Sequence, residues 1–114
     1  MLPNGGEIVW AVLDPVLGTE QAGRRPVLIL TDRTYHGRST RAIVCPISKT
    51  DRDWPFDVML PPGLKTVGFV LVDQIRTLHR ASRLKEHIET APDALVAEVR
   101  GRLKALLGLA EETQ

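Results

Sequence analysis

Cysteine is almost missing from this sequence: Cys45 is the only one in 114 residues. A single thiol excludes an internal disulfide and fits a reducing compartment, so the expected location is the cytoplasm. Histidine occurs three times, at 36, 79 and 87. With one cysteine and no ligand-like spacing, these positions give no metal site, and no metal or other cofactor is expected. Aromatic residues are scarce at 4%; Trp54 and Phe56 are rings that could stack on a base, with Phe56 reading more as a core residue. No apolar run approaches the length of a bilayer span, so no membrane association is expected. Residues 1–6 lack a basic-then-apolar leader, so no secretory signal is expected. There is no repeat and no low-complexity tract. The length predicts one domain over residues 1–114, with one core.

An excess of charge is also missing, since the net charge is only +1. Its distribution says more. Between positions 24 and 41 five arginines (24, 25, 33, 38 and 41) stand against one acid, Asp32. Between positions 76 and 85 there are four bases (76, 80, 83 and 85) and no acid. Acids gather later, at Glu86, Glu89, Asp93, Glu98, Glu111 and Glu112. Two basic segments in a nearly neutral chain suit a basic groove for a polyanion, or equally two solvated faces on different sides.

The chain reads as short strands separated by turn signals. Residues 7–13 are β-branched and aromatic and stop at Asp14-Pro15. Further strands are expected at 25–31, 40–47, 54–60, 66–72 and 74–79. Residues 14–24, 32–39 and 48–53 read as polar loops, and 61–65 as a turn. Pro55 keeps its end of the fourth strand away from a central ladder position. The pattern predicts a mainly β fold with α: a small, partly closed β-barrel of about six strands. A C-terminal amphipathic helix should follow over about 91–107. Thr90 is its expected N-cap, with Pro92 in the first turn and Asp93 behind it. Leu95, Val96, Val99, Leu103, Leu106 and Leu107 share one face. Glu98 and Arg102 are spaced for an i,i+4 pair, and Gly108 suits the C-terminal stop. Gly101 costs this helix about 1 kcal/mol against alanine, and a close backbone neighbour would explain it. Trp10 and Met59 are expected in the core, Cys45 as a small buried apolar residue, and His87 on the surface.

The loop 18–26, Gly-Thr-Glu-Gln-Ala-Gly-Arg-Arg-Pro, carries the strongest chemical signal. It delivers two arginines onto the first residues of an apolar strand. A guanidinium is permanently charged and offers a planar fork that fits phosphate or carboxylate. Pro26 biases Arg25 toward extended backbone, so Arg25 is the residue the strand can aim.

Those residues belong to a larger pattern. Gly6-Glu7-Ile8-Val9-Trp10, Asp14-Pro15 and Gly18-x-Glu20-Gln21-x-Gly23-x-Arg25-Pro26-Val27 are followed in order by three more pieces. These are Val44-Cys45-Pro46-Ile47-Ser48, Trp54-Pro55-Phe56-Asp57-Val58 and Val72-Asp73-Gln74-Ile75-Arg76. Over nearly the whole chain this resembles the MazF/PemK-type toxins, the ribonuclease half of a toxin–antitoxin pair. The resemblance implies an SH3-like barrel, a homodimer, and metal-independent, sequence-selective cleavage of single-stranded RNA or mRNA. The products would carry 2′,3′-cyclic phosphate and 5′-OH ends. It implies neutralisation by a cognate antitoxin whose C-terminal segment occupies the basic groove. It also implies a central catalytic role for Arg25. The family's second catalytic residue is a threonine, and Ser48 stands at that position, keeping the hydroxyl but losing the χ1-restricting methyl.

Other residues keep two readings each. Glu20 is a third catalytic candidate, orienting Arg25 or accepting a proton, or else a solvated loop acid. Gln21 would contact a base edge or its own loop. Arg24 is expected as an auxiliary phosphate contact, Trp54 as a stacking ring, and Gln74 and Arg76 as substrate contacts in or beside the Asp73-Gln74 pair. His36, in a polar loop, and His79 are substrate-contact candidates. Two other functions stay open on the same fold. One is a non-enzymatic toxin acting on a protein target such as gyrase, and the other a barrel that binds single-stranded nucleic acid without cutting it.

Overall fold

The computed structural model describes residues 2–13 and 23–109. Its first strand is β1 (Glu7–Val12), followed by β2 (Arg24–Ile29) and a short helix α1 (Arg33–His36). Then come β3 (Arg41–Ser48), β4 (Asp57–Met59), β5 (Phe69–Leu71) and a 3₁₀ turn at Val72–Gln74. The chain continues through β6 (Arg76–His79), the short helix α2 (Arg80–Arg83), β7 (Leu84–Thr90) and α3 (Asp93–Leu107). All strand pairings are antiparallel, in the order β4-β5-β3-β2-β1-β7, with β6 also paired to β3.

The long strand β3 organises this sheet. Along one edge it pairs with β2, Val27 opposite Pro46 and Ile29 opposite Val44. Its other edge is shared: Arg41 to Val44 pair with β6, and Ile47 and Ser48 pair with β5. That sharing lets the end of β3 lie between the start of β2 and the β5–β6 connection.

Side chains alternate across the sheet, and each face buries its own apolar set. One set contains Ile8, Leu28, Cys45, Ile47, Val58 and Val70, and α3 packs Leu95 and Val99 against it. The opposite set contains Val9, Ala11, Leu13, Val27, Ile29, Ala42, Val44 and Leu78. Full burial of one such side chain is worth about 1.5–3 kcal/mol, far more than an exposed ion pair. Hydrophobic burial on both faces therefore holds the sheet together.

The mainly β architecture with a C-terminal helix agrees with the sequence pattern, with differences. Among the described residues there are seven strands rather than about six, and their ladders do not close, leaving β4 and β7 at the ends of the path. The unexpected strand is β7. Its sequence, Leu-Lys-Glu-His-Ile-Glu-Thr, is charged at three of seven positions, as suits an edge. Residues 33–36 form a helical turn because the Asp32 carboxylate accepts the Tyr35 N–H at 3.1 Å. Thr90 does not cap α3, because it ends β7 opposite Glu7; Pro92 is the N-cap. No backbone crowds Gly101, where an added Cβ would meet nothing within 4 Å. Glu98 and Arg102 do pair, at 3.0 Å, and Gly108 ends the helix in the left-handed conformation at φ 71°. Trp10 and Met59 lie outside the core, 37% and 66% exposed.

Candidate active site

A cleft of about 470 Å³ opens where β2 begins and β3 ends. It is lined by Leu13, Arg25, Pro46, Ser48, Thr50, Arg52, Leu71, Gln74 and Arg76. The β2–β3 register explains the meeting of Arg25 and Ser48. Val27 faces Pro46, so continuing the ladder sets Arg25 across from Ser48, on the face that carries Val27 and Val44. The extended backbone of Pro26 and the buried residues after it anchor Arg25 to the rigid part of β2.

Gln74 arrives from the 3₁₀ turn and Arg76 from the start of β6. Arg76 Nη2 donates to the Leu13 carbonyl at 2.9 Å, tying the cleft wall to the end of β1. Ser48 Oγ accepts the Thr50 N–H at 3.2 Å, which folds the chain after β3 back along the cleft. Three arginines and two hydroxyl residues thus line one open cleft. Among the described residues no hydrogen bond or ion pair occupies the Arg25 guanidinium. Such an arrangement can hold a phosphodiester and stabilise added charge on its oxygens.

Arg52 is fixed more tightly. Asp57 accepts from its Nε at 2.8 Å and its Nη2 at 2.6 Å, and Asp73 lies 3.6 Å from Nη2. The hydrogen bond that Arg52 donates to Asp57 is the main cause that raises the Arg52 pKa above its ordinary value. Below the cleft, Cys45 is fully buried, and burial, helped by the charge of Asp73, pushes its thiol up to about 12. It is a core residue and not a nucleophile.

The remaining sequence candidates separate. Arg24 neighbours Arg25 in an extended strand and therefore points to the other face. There it pairs with Glu86 at 2.7 Å and lies 5.8 Å from the Trp10 ring centre. A backbone hydrogen bond at Glu86, then the Arg24 contact, holds the Glu86 carboxyl below the usual range. Arg24 is thus not at the Arg25 cleft. His36 is not in an open loop. It is 2% exposed, with Nδ1 donating to the Pro3 carbonyl at 2.8 Å and Nε2 held 2.7 Å from Thr31 Oγ1. Nδ1 tethers the N-terminal segment and Nε2 the chain just after β2, so both ring nitrogens are engaged inside the fold and His36 is not at the Arg25 cleft.

Trp54 lines a neighbouring hollow with Asp51, Asp53, Pro55, Asp57, Met59 and Phe69. Its ring is 47% exposed and its Nε1–H donates to Asp73 at 2.7 Å. Glu20 and Gln21 lie outside the described residues. Thr50 and Arg52 were not singled out from the sequence. They sit in a polar stretch without periodicity, and the one signal was a base beside hydroxyls just after the Ser48 motif.

Comparison with known proteins gives the family and supports the fold. The family model described as PemK-like, MazF-like toxin of type II toxin–antitoxin system matches residues 4–107. The endoribonuclease PemK of Escherichia coli is 37% identical over 106 residues, covering 90% of this chain and 80% of that protein. The crystal structure of MazF from Deinococcus radiodurans superposes with a TM-score of 0.86 at 40% identity, covering 96% of this chain and 99% of that one. A MazE–MazF structure from the same organism gives a TM-score of 0.83 at 35% identity, covering 96% and 99%. With the matched region running from before β1 to the end of α3, the chain belongs to the family of PemK-like, MazF-like toxins of type II toxin–antitoxin systems.

Proposed function

We propose that this endoribonuclease toxin cuts single-stranded RNA at the Arg25 cleft by transesterification, without a metal. The observation that carries the reading is the meeting of Arg25, Arg52 and Arg76 with Ser48 and Thr50 in one cleft. RNA carries its own nucleophile. The 2′-oxygen forms a bond to the adjacent phosphorus, the bond to the 5′-oxygen breaks, and a 2′,3′-cyclic phosphate and a 5′-OH result. The 2′-oxygen gives up a proton and the departing 5′-oxygen gains one. Arg25 stabilises the charge that gathers on phosphorus, and Ser48 donates to a non-bridging oxygen. Glu20, five residues before Arg25, supplies a carboxylate to orient Arg25 or take the 2′ proton. A guanidinium is a poor base, so Arg25 acts as a cation throughout. Gln74 and Arg76 hold the flanking backbone.

The toxin works as a homodimer, since a 114-residue sheet with one long helix builds a longer RNA groove by pairing loops across a two-fold axis. A cognate antitoxin silences it by laying an acidic, apolar-anchored C-terminal segment into the same basic cleft, in competition with RNA. No helix among the described residues is long and apolar enough to cross a membrane, and the proposed workplace is the cytoplasm.

The test is incubation of purified protein with a long RNA in EDTA, followed by mapping of fragment ends. Fragments with 5′-OH termini are expected. RNA binding without fragments would point to a non-cleaving binder. Neither binding nor cutting would favour a toxin of the same fold that acts on a protein.

A further inference from the structure

Arg52 lies at the seam between two hollows. Its guanidinium lines the Arg25 cleft, while its partner Asp57 lines the hollow beside Trp54. Asp73 joins the two sides: one oxygen lies 3.6 Å from Arg52 Nη2 and the other accepts Trp54 Nε1–H at 2.7 Å. Asp57 lies beneath the guanidinium, and Asp73 stands at the surface beside it, its side chain 28% exposed. The Asp57 side chain is 3% exposed, against 37% for Arg52. The fork from Asp57 uses Nε and Nη2, and among the described residues no acceptor engages Nη1. A bidentate carboxylate sets the plane of a guanidinium as well as its position. The bond to Asp73 likewise fixes the edge of the Trp54 ring and leaves a face open. A phosphate contact and a stacking surface are thus held by one carboxylate pair.

We infer that Arg52 and Trp54 form a second recognition unit, which receives the nucleotide beside the scissile phosphate: Arg52 Nη1 contacts its phosphate and Trp54 stacks on its base. Single strands suit such a unit, because their bases are free to leave a stack and meet an aromatic face. Asp73 holds the two parts in register and keeps a negative charge close to the bound strand. It is a positioning residue that also limits affinity. The inference rests on the Arg25 cleft being the RNA site.

The experiment uses full-length protein and a single-stranded, fully 2′-O-methylated RNA, which binds but cannot be cut. Replacing Trp10 by phenylalanine leaves Trp54 as the only tryptophan of the two in the chain. RNA should then quench the remaining fluorescence. Arg52→Gln keeps a donor for Asp57. It should weaken binding about tenfold, the worth of one charge-assisted contact. It should also lower the slope of log affinity against log salt by about one phosphate's share. Arg52→Lys should keep that slope. Asp73→Asn keeps an acceptor for Trp54 and should tighten binding. In cleavage assays the Arg52→Gln loss should fall mainly in KM.

Each alternative has its own signature. A purely structural Arg52 would lower the melting temperature of Arg52→Gln without moving the salt slope, and that result overturns the inference. Fluorescence unmoved at saturating RNA overturns it too. If folded Arg25→Ala cuts at the wild-type rate, the reading of the cleft itself fails. If Arg25→Ala is dead while Arg52→Gln binds like wild type, only the second unit falls.

Discussion

Gly68 lies so close to Ser48 that a Cβ built on it would stand 2.3 Å from the Ser48 carbonyl oxygen. Its φ of +133° is also one that residues with side chains rarely adopt. β5 starts immediately after this glycine and pairs Phe69 with Ser48. The close approach therefore sets where the end of β3 sits, and with it the Ser48 hydroxyl in the cleft. Gly68→Ala should destabilise the fold by about 2–3 kcal/mol through strain and displacement. It should also slow RNA cleavage at temperatures where the protein stays folded. Urea unfolding gives the first effect and single-turnover cleavage the second. Wild-type values in both would mean that β5 can retreat without disturbing Ser48.

Gly101 presents the opposite case. It lies inside α3 with helical backbone, and an added Cβ would meet nothing within 4 Å. Gly101→Ala should therefore stabilise the protein by about 0.5–1 kcal/mol, raising the melting temperature by roughly 4 °C. Cleavage should not change, because the residue is exposed on the helix and does not line the cleft. A lower melting temperature would reveal a neighbour at Gly101, such as a second copy of the chain packed on that face.

The acid limb of stability should depend on Glu89. Its carboxylate accepts from Lys65 N at 2.9 Å, Thr66 N at 2.8 Å and Thr66 Oγ1 at 2.7 Å, fastening the turn before β5 to β7. Burial works to raise its pKa, but the hydrogen bonds from Thr66 and Lys65 outweigh it and hold the carboxyl below its ordinary 4.5. A folded-state pKa below the unfolded one means stability that is fully present above about 4.5 and lost as pH falls through the lowered value. Glu89→Gln should cost about 1–2 kcal/mol at neutral pH, the net worth of hydrogen bonds to a partly exposed charge. The gap should shrink in acid, where the wild-type carboxyl also protonates. Urea midpoints at neutral and acid pH test it, and a gap of constant size would show that the charge is not what matters.

The parts of the fold legible in the sequence are those with a clean period. α3 was readable because Leu95 and Val99 recur on one face, and β1 to β3 because their residues are apolar and β-branched. β7 was not, since an exposed edge strand carries charge where a buried one carries valine. Arg24 shows how one residue of strand boundary decides a site. Two adjacent residues of a strand point to opposite faces, so Arg24 and Arg25 could share a site only if the strand began after Arg24, and β2 begins at Arg24 itself. His36 lies in a polar stretch whose helical turn depends on the Asp32 cap, and a single four-residue turn leaves no periodicity in the sequence. The cleft partners Thr50 and Arg52 had no period to reveal them. Their position follows from the turn after Ser48, which only the folded chain defines.

The opposite orientations of Arg24 and Arg25 make the last prediction a contrast between neighbours. Arg25 lines the cleft across from Ser48, while Arg24 pairs with Glu86 on the far face. Arg25→Ala should reduce single-turnover cleavage by about 10²–10³-fold, the usual loss on removing one preorganised donor to developing charge. Arg25→Lys should recover little, because an ammonium restores the charge but not the planar fork. Arg24→Ala should leave the rate close to wild type, since the side chain it removes points away from the cleft. Ser48→Ala should be impaired, as no hydroxyl then faces the phosphate from the end of β3. Ser48→Thr should keep or raise the rate, because the added methyl restricts χ1 around the same hydroxyl. Excess enzyme on one RNA isolates the chemical step, and circular dichroism verifies that each variant is folded. If Arg24→Ala proves dead and Arg25→Ala active, the working face of β2 has been misassigned. If both variants cut normally, guanidinium stabilisation from this strand is not the mechanism.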